Sequence, residues 1–337
     1  MKTPKKTPPK KIEVTEKITE PVKTGAAVNK NLITFVSIMV IIVGVISYFF
    51  TKPDTPLTKP IPQTISTPKK IEKARTPDVA KISNYNSWAY ILNAIDFEAI
   101  KKSTYDVVII DTEKDDKLID AETIKSLKKK PDNSIRKVFA YVSLGEAEDY
   151  RPYWKKEWST KPPVWMGKED RIWKGNFEIK NLMAPEWIDI SKRTIDMVVA
   201  MGYDGILING LPISNPKGSI AFLNEIVSYA KSKNAAIQIF VQDAEELATD
   251  KQFVSLIDGA VKQGLIYSKL SDGNKGKLND DATINKATEK LKILANNKKH
   301  VFVVEFVSGE SYVKAEKVIE SNAFVSYSAP LRLDVLR

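Results

Sequence analysis

The sequence predicts an α/β fold: a (β/α)8 TIM-type barrel preceded by a disordered tail, one transmembrane helix and a Pro/Lys-rich stalk. Three observations carry this. Eight short apolar, β-branched runs alternate with longer stretches of helical periodicity in the C-terminal three-quarters of the chain. Strand and helix alternating eight times over roughly 255 residues is the usual size of a closed barrel. No run is followed by G-x-G-x-x-G or G-x-x-x-x-G-K-[ST], so a doubly wound open sheet, the runner-up, lacks a nucleotide fingerprint.

Residues 1–31 are rich in Lys, Thr, Pro and Glu. They hold too little apolar surface to offset the entropy of ordering and are expected to be a disordered basic tail. Leu32 to Phe50 is a run of 19 uncharged residues, long enough to cross the hydrocarbon core as a helix. It ends in Tyr48, Phe49 and Phe50 rather than a small-x-small cleavage site, so a signal-anchor is expected, not a cleaved leader. The leader's lysines favour a cytoplasmic N-terminus and an extracytoplasmic barrel, although Lys52, Lys59, Lys69 and Lys70 blunt the asymmetry. Residues 51–78 carry six prolines, at 53, 56, 60, 62, 68 and 77, and read as a semi-rigid stalk.

The barrel is expected over 79–337. Its strands are read at "SWAYIL" near Trp88, "YDVVIID" ending at Asp111, "KVFAYVSLG" ending at Gly145, "YDGILIN" ending at Asn209, "AIQIFVQD" ending at Asp243, "DGAVKQGLIY" around Gln263, "HVFVVEF" ending at Phe306 and "AFVSYS" near Tyr327. Between them, segments such as "EWIDISKRTIDMVVAMG" and "SIAFLNEIVSYAKSKN" place apolar residues three and four apart, as helices covering a parallel sheet do.

Composition narrows the chemistry. The net charge of +10 comes from lysines crowded into the first 75 residues and does not describe a nucleic-acid-binding domain. With no cysteine there are no disulfides, thiolate zinc sites or cysteine nucleophiles. The one histidine, His300, begins an apolar strand instead of ending one and reads as structural. No carboxylate group has the spacing of a calcium loop, and neither a metal nor a cofactor is expected.

In a barrel the working residues sit at the C-terminal ends of the strands. These are Asp111, Glu146, Glu148, Asp149, Asn209, Gln242, Asp243, Gln263, Glu305 and Tyr327. Carboxylates and amides near tryptophans (Trp154, Trp158, Trp165, Trp173, Trp187) suit a sugar cleft, because pyranose rings stack on aromatic faces while their hydroxyls take polar partners.

The blocks "YDVVIID", "VFAYVSLGEAEDYRPYW", "APEWIDI", "GYDGILIN" and "DGAVKQGLIY" resemble the ordered blocks of the glycoside hydrolase family 114 barrels, the endo-α-1,4-polygalactosaminidases and their relatives. The resemblance implies a polysaccharide partner, an extracellular amino-sugar polymer, and catalysis by two carboxylates: an Asp closing the G-Y-D-G strand and a Glu in the D-G-x-x-x-E-G block. Those positions are Asn209 and Gln263 here, both amides. It also implies that Glu146, Glu148 and Arg151 shape the pocket and that Asp204 holds a turn or a barrel layer; Asp111 either contacts substrate or has a structural role.

Glycoside hydrolysis needs one group to donate a proton and another to attack or activate water. A carboxamide does neither, yet keeps the size and much of the hydrogen bonding of the acid. The expectation is a membrane-anchored barrel that binds, or acts weakly on, a galactosamine-containing polymer. Two alternatives stay open: an active endo-glycosidase using relocated carboxylates among Glu146, Glu148, Asp243 and Glu305, and a non-catalytic barrel that docks a protein partner. Residues 272–291 are expected to begin as a polar loop and pass into a helix.

Overall fold

A computed structural model describes residues 84–268 and 276–337. The expected tail, membrane span and stalk, and residues 79–83 of the expected barrel, lie outside the described residues. Among those described, no helix is long and apolar enough to cross a membrane.

Eight strands form one parallel sheet: β1 (Trp88–Ile91), β2 (Val107–Asp111), β3 (Lys137–Ser143), β4 (Gly205–Asn209), β5 (Gln238–Gln242), β6 (Gly259–Gln263), β7 (His300–Glu305) and β8 (Val325–Ser328). Their order in the sheet is their order in the chain. A doubly wound sheet reverses direction at a switch point, so this order excludes the runner-up. The sheet curls until its edges meet: the Trp88 indole on β1 donates to the Val325 carbonyl on β8 at 3.0 Å and lies 5.5 Å from the Tyr327 ring. The result is a nearly closed barrel of the TIM type.

The strands are near-continuous apolar runs because both faces are covered, by helices outside and by the filled interior within. Trp88, Val108, Phe139, Phe240 and Phe302 are fully buried. Trp88 stacks on Phe302 at 4.9 Å, and Phe139 meets Phe240 edge-on at 5.0 Å. His300 joins this aromatic floor at the N-terminal end of β7, 4.8 Å from Tyr85, and burial pulls its pKa down. A neutral ring packed at the end opposite the strand termini fits the structural role read for it.

Helices α1 (Phe97–Lys102), α2 (Ala121–Leu127), α3 (Pro185–Met201), α4 (Pro216–Lys233), α5 (Lys251–Leu256), α6 (Asp281–Asn296) and α7 (Glu310–Ser321) fill the connections. Asp96, Asp120, Asp250 and Asp280 cap α1, α2, α5 and α6 with side-chain oxygens on backbone N–H groups. The apolar stripe read in "EWIDISKRTIDMVVAMG" is the buried face of α3, with Trp187, Ile190, Ile195 and Val198. That helix stops at Gly202, in the left-handed conformation at φ 81°.

The β3–α3 connection was not foreseen as structured. It holds a three-stranded antiparallel sheet in the order Glu146–Glu148, Asn176–Ile179, Met166–Glu169. Under it runs a column of aromatic rings, Trp154 to Trp158 (5.3 Å), Trp158 to Trp165 (5.3 Å) and Trp165 to Trp187 (5.1 Å). Alternation in "EAE" and "NFEI" is too short to stand out in sequence, and the sheet depends on this column for its support.

Candidate active site

The C-terminal ends of the strands open into a cavity of about 540 Å3. Its lining includes Tyr90, Asp111, Glu146, Glu148, Arg151, Trp173, Asn209, Gln242, Asp243 and Gln263.

Asn209 ends β4 on a backbone the sequence fixes tightly. The N–H groups of Leu144 and Gly145 both donate to its carbonyl, at 3.2 and 3.1 Å. A Cβ on Gly145 would sit 1.7 Å from the Gly210 carbonyl oxygen, so only glycine lets the two loops meet behind the side chain. The Asn209 amide then joins a directional chain. The Tyr90 hydroxyl donates to Gln242 Oε1 (2.7 Å), Gln242 Nε2 donates to Asn209 Oδ1 (2.6 Å), and Asn209 Nδ2 donates to Ser143 Oγ (3.5 Å). Ser143 bonds in turn to the Glu146 carboxyl, which also accepts from Asn176 Nδ2 at 3.1 Å. Every link is neutral until Glu146. Burial raises the pKa of Glu146, against the opposing Asn176 bond.

Gln263 ends β6, and its side chain bonds Tyr90. Its backbone N–H donates to Asp243 Oδ1 at 3.0 Å. Asp243 stands just past β5 at φ 50°, a conformation Asp tolerates better than most residues, and this turns its carboxylate back toward β6. Lys262 binds Asp243 at 3.1 Å and Glu245 at 2.8 Å. Burial pulls the Lys262 ammonium down, but the two carboxylates more than reverse this and hold it above the ordinary lysine range. Asp243 itself is raised by burial, with Lys262 opposing; about a third of its side chain (36%) remains open.

Across the cleft, Arg151 clamps two acids. Its NH1 and NH2 donate to Asp111 Oδ1 and Oδ2 at 2.7 and 2.9 Å, a bidentate pair, and Nε donates to Glu148 Oε2 at 2.6 Å. Burial raises the Glu148 pKa while Arg151 opposes the rise. Glu148 and Arg151, for which the sequence suggested a pocket-shaping role, meet in this clamp, and Asp111 is held by it too. Asp204 lies at the opposite end of β4, accepting the Val138 N–H at 3.0 Å, so it ties strands together away from the cleft.

Two candidates do not reach the cleft. Glu305 is fully buried and receives the backbone N–H groups of Ile266 and Tyr267 at 2.8 and 2.9 Å. Burial pushes its pKa up to about 7 against those bonds. It fixes the turn after β6. Tyr327 is 3% exposed and packed in the core between Trp88 and Tyr105. Both side chains point into the barrel wall because strand position alone does not tell which of two alternating faces a residue takes.

The expected stacking tryptophans divide sharply. Trp154, Trp158, Trp165 and Trp187 are spent in the column beneath the small sheet, and Trp173 alone of the five lines the cleft, 47% exposed. Sequence reasoning missed Tyr90, Asn176 and Lys262. Lys262 had a signal, a lone charge inside the apolar run "DGAVKQ"; Tyr90, flanked by apolar residues, had none.

Among the described residues no group of acids or histidines is arranged to hold a metal. What remains is a cleft with three amides, Asn209, Gln242 and Gln263, and four carboxylates at or just past its strand ends. The sequence profile of glycoside-hydrolase family GH114 matches residues 69–333. The chain belongs to this family. An uncharacterised protein of Methanocaldococcus jannaschii is 30% identical over 291 residues, spanning 80% of this chain and 81% of that protein. A second uncharacterised relative, from Thermotoga maritima, is 30% identical over 200 residues, 55% of this chain and 61% of its own length.

The fold of this family 114 chain is shared with solved structures. The glycoside hydrolase domain of PelA from Pseudomonas aeruginosa superposes with a TM-score of 0.60 at 13% identity, covering 75% of this chain and 97% of that domain. Aspergillus fumigatus Ega3, solved in complex with galactosamine, gives 0.56 at 17% identity, covering 74% and 92%.

Proposed function

We propose that this chain is a membrane-tethered family 114 barrel that binds a galactosamine-containing polysaccharide outside the cell, with weak or lost hydrolase activity. The observation that carries the reading is the neutral chain Tyr90–Gln242–Asn209–Ser143, with Gln263 beside it, at the two positions where the family pattern has acids. An amide has no proton to donate in the useful range and is a poor nucleophile. The same amides present donors and acceptors to sugar hydroxyls, so binding survives where chemistry does not. Galactosamine bound to the similarly folded Ega3 supports an amino sugar as the ligand. The uncharged run Leu32 to Phe50 supports the tether.

The test uses the purified full chain and its Asn209→Asp, Gln263→Glu double variant. Reducing-end release from partly deacetylated galactosamine polymer is assayed alongside binding. Binding in both proteins with turnover only in the variant is expected. Turnover by the unmodified chain would refute the lost-activity reading.

One observation favours a second reading, an active enzyme with relocated acids. Glu146 and Asp243 both line the cleft, and burial keeps Glu146 closer to its proton-donating form. On that reading Glu146→Gln would abolish a turnover that the unmodified chain already shows.

A further inference from the structure

The end of the barrel opposite the cleft is built from the segments that join each helix to the next strand, and the described chain enters there, at Asn84 just before β1. Basic and acidic residues nearly balance over residues 84–337, so an excess at one end belongs to that end. Three acids of this end already hold lysines. Asp106 takes Lys130 at 2.6 Å, Asp204 takes Lys128 and Lys137 at 3.2 and 3.4 Å, and Asp258 takes Lys231 at 3.3 Å. Lys102 at the end of α1, Lys129 after α2, and Lys298 and Lys299 before β7 have no carboxylate within 4.0 Å among the described residues. Against them stand two acids that hold no lysine at that distance, Asp132, bonded to Ser134, and Glu320 in the last turn of α7. The balance at this end is positive.

Lys299 also belongs to a groove. It has a volume of about 630 Å3 beside α5 and α6, and Thr249, Lys251, Ser255, Asn297 and Lys299 line it together with the apolar Val254 and Ile293. No carboxylate lines it among the described residues, and Lys251, like Lys299, has none within 4.0 Å. Ser255 Oγ and Asn297 Nδ2 already donate to the Gln252 and Ile293 carbonyls at 2.7 and 2.8 Å, so the attraction for a ligand comes from the two ammonium groups. Two cations and no acid beside apolar side chains suit a phosphate whose ester carries an apolar body. A small free anion would leave Val254 and Ile293 uncovered. One exposed lysine is screened by salt, whereas lysines spread over a whole face add their attractions when that face meets an anionic lipid surface.

We infer that this face of the barrel docks on an anionic lipid bilayer, with the groove at Lys251 and Lys299 taking a headgroup phosphate and Lys102, Lys129 and Lys298 resting on the charged surface around it. This rests on the membrane tether proposed above. A tether confines the barrel near the bilayer, so contacts too weak to hold a free protein are enough to orient a tethered one. The cleft, at the other end of the same barrel, is then turned away from the lipid.

The experiment is energy transfer in the full chain reconstituted into vesicles that carry an acceptor lipid, either pure phosphatidylcholine or phosphatidylcholine mixed with phosphatidylglycerol. The chain has no cysteine, so Ala235→Cys on this face and Ser214→Cys at the cleft end, both exposed, each carry a single donor dye. Transfer from position 235 is expected to be roughly twofold higher on the anionic vesicles and to fall to the neutral level at about 0.5 M salt, while position 214 stays low throughout. Replacing Lys102, Lys129, Lys251, Lys298 and Lys299 by Gln removes the difference, whereas the cleft-end changes Lys117→Gln, Lys156→Gln and Lys161→Gln leave it. Equal transfer on both vesicles, or higher transfer from position 214, overturns the docking and leaves the tether standing. A chain that does not stay with neutral vesicles overturns the tether and the docking with it. Loss of transfer on adding free glycerol phosphate gives the groove to a soluble phosphate and overturns the lipid assignment.

Discussion

Replacing Arg151 with methionine removes the guanidinium and keeps most of the apolar stem. Three charge-assisted bonds are lost, at 2.6, 2.7 and 2.9 Å, from a side chain 9% exposed, so solvent screening takes little from them. Glu148 and Asp111, at 3 and 15% exposure, are left without their cation. Breaking a buried ion pair from one side costs about 3–5 kcal/mol, since the partner charge stays buried and unpaired. In a domain of this size, ~2–4 °C of Tm accompanies each kcal/mol, so a fall of roughly 6–20 °C is expected at neutral pH.

The effect of pH on that fall follows from Glu148, whose folded-state pKa is raised by burial with Arg151 opposing. Without Arg151 it rises further. A raised carboxyl stabilises the fold below its unfolded value of roughly 4.3, and that contribution is lost as pH climbs through the folded value. The gap between wild type and Arg151→Met is thus widest above neutrality and narrows toward about pH 4.5. Thermal melts across that range measure it. A gap below ~1 kcal/mol, or one that does not change with pH, would refute the clamp as the support of the cleft wall.

Glu305 predicts a second pH dependence. Its pKa rises to about 7, so its contribution is present below its ordinary value of 4.5 and is lost as pH rises through about 7, a loss of roughly 3 kcal/mol. In Glu305→Gln the amide NH2 opposes one backbone N–H, a cost that does not vary with pH. Melts from acid to mildly alkaline pH should nonetheless lose this slope; the same slope in both proteins would contradict the assignment. Gly145→Ala drives a methyl to within 1.7 Å of the Gly210 carbonyl oxygen and should cost at least roughly 2 kcal/mol, read from urea midpoints. A wild-type midpoint would mean the two loops can separate freely.

Much of the barrel was legible because strands buried on both faces become unbroken apolar runs, and such runs stand out one by one. Each of the eight runs holds a strand of the sheet. Asn209, Gln263 and Asp243 were likewise found by counting to the end of a run, since a parallel barrel sends every strand's C-terminus to one rim. The same count misled for Glu305 and Tyr327, where the turn of the side chain, inward to a backbone N–H or outward to the cleft, depends on neighbours distant in sequence. Five tryptophans looked alike in the sequence; four are the support of an unexpected sheet.

The sequence by itself determined the fold class and the strand ends, with the amides Asn209, Gln242 and Gln263 that close three of them, all of which depend on local pattern and residue chemistry. Only the tertiary structure decided which groups meet: that Arg151 takes both Asp111 and Glu148, that Tyr90, Gln242, Asn209 and Ser143 form one chain, and that Trp173 is left facing the cleft. Those contacts join residues far apart along the chain, and hydrogen-bond partners are chosen by distances of a few tenths of an ångström that no sequence spacing encodes.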